Sequence, residues 1–159
     1  MIDIVRANLN AQPHAEALIS LMSEYALDPM GGGKDLPNHV KENLASALNE
    51  KNDAHVILAY LNDEPVGLVT CIEGFSTFSC KPLLNIHDAI VKLKYRGRGI
   101  LNKLLCEAEQ IAIEKGCCKM TLEVLEGNQP ARSAYSKFGF SGYELDPKMG
   151  KALFWQKTI

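Results

Sequence analysis

The sequence predicts a mixed α+β fold in a single domain over residues 1–159, and three observations carry that reading. Segments with a two-residue apolar alternation are interleaved with segments whose apolar residues recur at helical spacing. At 159 residues and 47% hydrophobic content, the chain can bury roughly 70% of its unfolded surface, enough for one core. No internal repeat, low-complexity tract or long linker divides it.

The elements follow in order. Ile2, Ile4 and Arg6 open an alternating strand, and after Pro13 the residues Ala17, Leu18, Leu21, Met22 and Tyr25 fall on one helical face. The run Asp28 to Pro37, with Gly31-Gly32-Gly33 at its centre, breaks the periodicity and predicts a mobile loop. A second amphipathic helix carries Val40, Leu44, Ala47 and Leu48. His55 to Leu61 and Val66 to Phe75 are β-rich runs joined by Asn62-Asp63-Glu64-Pro65, the pattern of an antiparallel hairpin. Asn85 to Leu93 reads as a strand that runs straight into Arg96-Gly97-Arg98-Gly99, where a helix begins. Ile100, Leu101, Leu104, Leu105, Ala108, Ile111 and Ala112 form the apolar face of that helix, and Gly116 ends it. Met120, Leu122 and Val124 alternate into a strand ending at Glu126-Gly127, and Asn128 caps a short helix closed by Gly139. Phe140 to Leu145 and Ala152 to Lys157 are expected as two final strands.

The net charge of -2 sets up no global field toward nucleic acid or an acidic membrane surface, so neither partner is expected. Apolar runs fall far short of the roughly 18 residues that span a bilayer, and the N-terminus lacks the pattern of a secretory signal. A cytoplasmic location is the expectation. Cys71, Cys80, Cys106, Cys117 and Cys118 are odd in number and include no C-x-x-C pair, so they read as reduced thiols. Cys117 and Cys118, adjacent on an expected strand, would point to opposite sides, and no metal site is expected. Phe154 and Trp155 read as core or dimer-interface residues.

A strand followed at once by a glycine-rich turn and a helix presents unpaired backbone N–H groups and a positive dipole end to one point in space. Arg96, Arg98, Lys92, Lys94 and Lys103 gather positive charge around it, so a di- or polyphosphate is the expected ligand. The dinucleotide pattern G-x-G-x-x-G fails at Asn102, and the P-loop pattern fails because Gly33-Lys34 is followed by Asp35.

The stretch Val91 to Ile100 resembles the acyl-CoA pyrophosphate motif, [QR]-x-x-G-x-[GA], of the GNAT superfamily of N-acetyltransferases, with Lys94 at the first position and Leu101 where many members carry another glycine. Asn128 to Phe140 is similar to the family's N-x-x-A-x-x-x-Y-x-K-x-G-F segment. The resemblance covers the residues from His55 to Phe140. It implies the GNAT fold, a mostly antiparallel sheet of about seven strands with a splayed parallel central pair and about four flanking helices. It also implies acetyl-CoA as co-substrate, with direct transfer to an amine of a small molecule or peptide, and it suggests a homodimer.

Carried onto this chain, the resemblance assigns coenzyme binding to Val91, Lys92, Leu93, Arg96, Gly97, Arg98, Gly99, Ile100, Leu101, Asn102, Asn128, Ala131, Tyr135 and Lys137. Tyr135 is the implied general acid, Asp88 the expected base and His87 the second candidate, with Glu73 and Glu123 on neighbouring strands. The motif reads the coenzyme and not the acceptor, so a hydroxyl acceptor, another acyl donor and a catalytically silent CoA-binding module stay open as alternatives.

Overall fold

In the computed structural model, which describes residues 1–159, the chain divides into a unit from Met1 to Leu122 and a second from Glu123 to Ile159. The first begins with β1 (Ile2–Arg6), α1 (Gln12–Leu27), a 3-10 turn (Pro29–Gly31) and α2 (Asn38–Asn49). It continues through β2 (Ala54–Leu61), β3 (Glu64–Ser76), β4 (Lys81–Val91), a second 3-10 turn (Leu93–Tyr95), α3 (Ile100–Glu114) and β5 (Met120–Leu122). The strands lie in chain order; β1 to β4 are antiparallel neighbours and β5 runs parallel to β4. No helix is long and apolar enough to cross a membrane.

Local chemistry explains the joints. Asn62 and Asp63 take positive φ values of 50° and 62°, which matches the twist of a two-residue hairpin between β2 and β3. Pro13 in the first turn and the Asp28-Pro29 pair after Leu27 bracket α1. Period-two alternation then gives the sheet two apolar faces. Val56, Leu58, Leu68 and Ile90 pack with Ala17, Leu18 and Leu21 of α1, and Leu44 and Leu48 of α2 add to this cluster. On the other face α3 buries Ile100, Leu104, Leu105, Ala108, Ile111 and Ala112. Gly67 makes that approach possible: a Cβ there would stand 3.1 Å from Leu104 Cδ1 and 3.2 Å from Ile100 Cγ2.

Two irregularities in β4 matter for function. Thr70 pairs with Asp88 but Cys71 pairs with Ile86, so His87 is the extra residue of a β-bulge. The parallel ladder to β5 ends at the pair Ile86 and Leu122, so β4 continues from His87 to Val91 with no strand on that edge.

In the second unit, α4 (Gln129–Phe138) is capped by Asn128 and closed by Gly139 at φ 117°. Beyond it a single bridge joins Glu144 to Lys151. Five strands therefore stand where about seven were expected from the resemblance. β5 stops at Leu122, short of the expected Glu126, and the strands expected at Phe140 to Leu145 and Ala152 to Lys157 are reduced to that bridge. Alternation specifies a strand only where one face is buried, yet Leu145, Leu153, Phe154 and Trp155 are all exposed here. Trp155, 83% exposed, is thus no core residue. Cys117 and Cys118 fall in the turn before β5 and not on a strand; all five thiols are free and Cys71 is the buried one.

Candidate active site

The turn after β4 is built to leave donors open. Gly97 and Gly99 both adopt φ 75°, a left-handed conformation that costs other residues roughly 1 kcal/mol or more. α3 begins at Ile100 with no side-chain cap, and its first backbone bond runs from Lys103 N to Gly99 O. None of the N–H groups from Gly97 to Asn102 has an acceptor. An uncapped N-terminus costs about 1 kcal/mol, whereas burying Ile100, Leu104 and Leu105 returns about 2 kcal/mol each. Packing therefore holds the helix end and frees its amides for a ligand. Nothing lies within 4 Å of where a Cβ would stand on Gly97 or Gly99, so an anion can approach the amides closely.

The cations around this turn are not equivalent. Glu64, at the start of β3, accepts from Tyr95 Oη at 2.5 Å and lies 3.2 Å from Lys92 Nζ and 2.9 Å from Lys94 Nζ. Those three donors, the tyrosine foremost, depress the Glu64 carboxyl to about 2. Lys92 and Lys94 thereby share a single carboxylate, which offsets one of their two charges, and the Lys92 amide is itself taken by Val66 O. Arg96 donates from Nε to Val91 O at 2.9 Å and from Nη2 to Asp28 Oδ2 at 3.0 Å. Arg98, stacked 5.4 Å from the Tyr95 ring centroid, and Lys103 have no ion pair and remain available to an anion.

Strand geometry places the rest. Because Lys92 N donates to Val66 O, alternation turns the N–H and C=O of Ala89 and Val91 away from β3, toward the edge where β5 has ended. An extended ligand can pair there as a strand would. Leu93, 73% exposed, and half-buried Val91 flank this edge.

Asp88 shares the face of Leu68 and Ile90, beneath α1. Burial raises its carboxyl above the usual carboxylate range; the charge of His87 and the Thr70 hydroxyl pull it the other way. Thr70 is 2% exposed, pairs with Asp88 in the ladder, and its Oγ1 has no regular hydrogen bond. The Tyr25 phenol is raised by burial first and then by the charges of Asp88 and Asp28, which puts α1 beside the same carboxylate. His87 points outward from the bulge and is exposed. Glu73 is tied to His55 at 2.6 Å and Lys115 at 2.8 Å, whereas Asp88 forms no ion pair.

In the second unit, Asn128 Oδ1 accepts from Ala131 N at 3.3 Å. Tyr135 is buried and its ring meets that of Phe140 edge-on at 6.0 Å, while Lys137 is exposed in the last turn.

A model of the acetyltransferase (GNAT) family matches residues 18–140. The chain belongs to the GNAT family. Thialysine N-epsilon-acetyltransferase from Bos taurus is 34% identical over 82 residues, which cover 48% of this chain and 47% of that protein. The GNAT chain thus spans about half the length of the first curated relatives it matches. The solved structure of an aminoglycoside acetyltransferase, meta-AAC0020, from an uncultured soil metagenomic sample in complex with trehalose, is 25% identical. It superposes with a TM-score of 0.79 over 99% of this chain and 96% of that one. Aminoglycoside N-acetyltransferase AAC(6')-Iy in complex with CoA, 16% identical, shares the fold with a TM-score of 0.77 over 100% and 96% of the two chains.

Residues the sequence did not single out are Asp28, Glu64, Thr70 and Ala89. Glu64 and Tyr95 are 31 positions apart, and Asp28 and Arg96 are 68 apart, so no local spacing could have joined them.

Proposed function

We propose that this GNAT chain is an acetyl-CoA-dependent N-acetyltransferase that acts on an amine of a small molecule or peptide. The observation that carries the reading is the run of acceptor-less amides from Gly97 to Asn102, set directly beyond the open edge of β4. Their open approach, with Arg98 and Lys103 beside them, fits a pyrophosphate. Those groups are assigned to the phosphates, and the outward N–H and C=O of Ala89 and the N–H of Val91 to the extended arm of the coenzyme, the Val91 carbonyl being held by Arg96 Nε.

Acetyl-CoA supplies the acetyl group as a thioester. The chain's part is to orient it, to offer a backbone N–H at the open edge of β4 to a carbonyl oxygen gaining charge, and to move protons. Asp88 is assigned the base: burial raises its carboxyl, which makes the carboxylate a stronger proton acceptor toward the acceptor's ammonium. Tyr135 Oη is assigned the acid that donates a proton to the departing sulfur. Asn128, Ala131 and Lys137 are assigned supporting contacts to the coenzyme. Thialysine and aminoglycosides, the acceptors named for relatives, are amines and are the first to be tried here.

A thiol-release assay with acetyl-CoA tests the reading across lysine analogues, aminoglycosides, polyamines and peptide amines, with hydroxyl acceptors as the control arm. Turnover with an amine and none with the matching alcohol is expected. Absence of acetyl-CoA binding by calorimetry would sink the coenzyme assignment, and binding without turnover on any acceptor would sink the catalytic one.

A further inference from the structure

Thr70 is a polar residue set into an apolar face. It is 2% exposed on β3, with Val56 opposite it on β2 and Leu68 on its own strand, both in the cluster beneath α1. Its Oγ1 has no regular hydrogen bond, and a buried hydroxyl left without a partner is costly enough to call for a reason. On the β4 side the residue opposite is Asp88. Side chains opposite each other in an antiparallel pair have Cβ atoms about 5 Å apart, which brings a hydroxyl and a carboxylate within reach.

The β-bulge creates this pairing. Carried on from Cys71 and Ile86, the register would set His87 opposite Thr70 and turn Asp88 to the α3 face with Val69. The extra residue leaves the exposed imidazole at the bulge and puts the carboxyl beside the hydroxyl. Asp88 forms no ion pair, and the groups that meet its charge are the Tyr25 phenol of α1, the Cys71 thiol of β3 and His87 of β4. Burial and that charge raise the phenol and push the thiol up to about 12, so both are neutral at neutral pH and neither balances the carboxylate. Burial also pushes the Asp88 carboxyl up, while the charge of His87 and the Thr70 hydroxyl pull it down. A hydroxyl hydrogen turns about its C–O bond, so a regular bond from Thr70 to the carboxylate needs no change in the backbone.

We propose that Thr70 is a positioning residue for Asp88: its Oγ1 donates to one carboxylate oxygen and leaves the other open to take the acceptor's proton. The inference rests on the assignment of Asp88 as the base. The proton leaves the ammonium for the open oxygen, and the nitrogen keeps the electron pair that attacks the thioester. Without the hydroxyl the carboxylate loses a neighbour that favours its ionised form, and the base becomes available only at higher pH.

A carbon-detected NMR titration of the Asp88 carboxyl in the full chain, with its signal assigned through Asp88→Asn, reads the pair without an acceptor. Thr70→Val removes the hydroxyl and keeps the shape, whereas Thr70→Ser keeps the hydroxyl. The Asp88 midpoint should rise by about one pH unit in Thr70→Val and return close to wild type in Thr70→Ser. The acid limb of kcat/KM, measured with the amine that the thiol-release assay identifies, should move by the same amount. An unchanged midpoint in Thr70→Val, or a Thr70→Ser that titrates as Thr70→Val does, overturns the positioning role and leaves the base assignment standing. A midpoint that rises while the acid limb stays in place overturns the base assignment, and the role of Thr70 in the reaction with it.

Discussion

The two strand-to-helix junctions of this chain look alike in sequence and differ in what they leave unsatisfied. At Asn128 the side chain accepts from Ala131 N, Arg132 N bonds to Asn128 O, and α4 starts as a capped helix. At Gly99 no side chain caps α3, and the amides from Gly97 to Asn102 stay open. The difference has an energetic origin. α4 buries little besides Tyr135 and depends on its cap, whereas α3 is pinned by a row of buried aliphatic side chains and tolerates an empty end. A helix N-terminus becomes an anion site when packing, and not capping, is what holds it.

Variants at the two junctions should separate chemistry from binding. The largest effect is expected from Tyr135→Phe, on the α4 side: kcat should fall about a hundredfold while acetyl-CoA affinity, measured by calorimetry, changes little. A parallel loss of affinity would mean that the two junctions are not specialised as argued.

On the β4 side the acid limb of the kcat/KM profile comes next. Burial raises the Asp88 carboxyl, so its basic form exists only above that raised value. Activity should fall about tenfold per pH unit below it, at a pH higher than an ordinary carboxylate would give. Asp88→Asn should be slow and should lack this limb; a wild-type limb in the normal carboxylate range removes Asp88 from the base role.

Gly99→Val should weaken acetyl-CoA about tenfold, because a β-branched residue resists φ 75° and stands over the amides. Arg98→Ala is expected to cost about fivefold in the same affinity, with a shallower salt dependence than the wild type. The smallest effect belongs to Asn128→Ala. Loss of its cap should lower unfolding free energy by about 1 kcal/mol in denaturant titration. If it weakened the coenzyme as much as Gly99→Val does, the contrast between the junctions would collapse.

Much of the first unit was legible in the sequence because its signals are local. The α3 face from Ile100 to Ala112, the hairpin within Asn62 to Pro65 and the stop at Gly116 each follow from spacing or from one residue's conformational preference, as does the cap at Asn128 in the second unit. The final strands were misread because alternation at Phe140 to Lys157 reports a face that could be buried, and in this structure that face is exposed.

For the site, the sequence by itself determined the turn, since glycines at 97 and 99 take a left-handed φ of 75° and put no side chain over the amides that open an apolar helix. It could not determine which cations serve that turn. Only the tertiary structure gave Lys92 and Lys94 to Glu64, tied Arg96 to Asp28, and left Arg98 and Lys103 free of ion pairs. Charge in a sequence is a count, whereas charge at a site is what remains after partners brought together by long-range β pairing and loop packing have been matched.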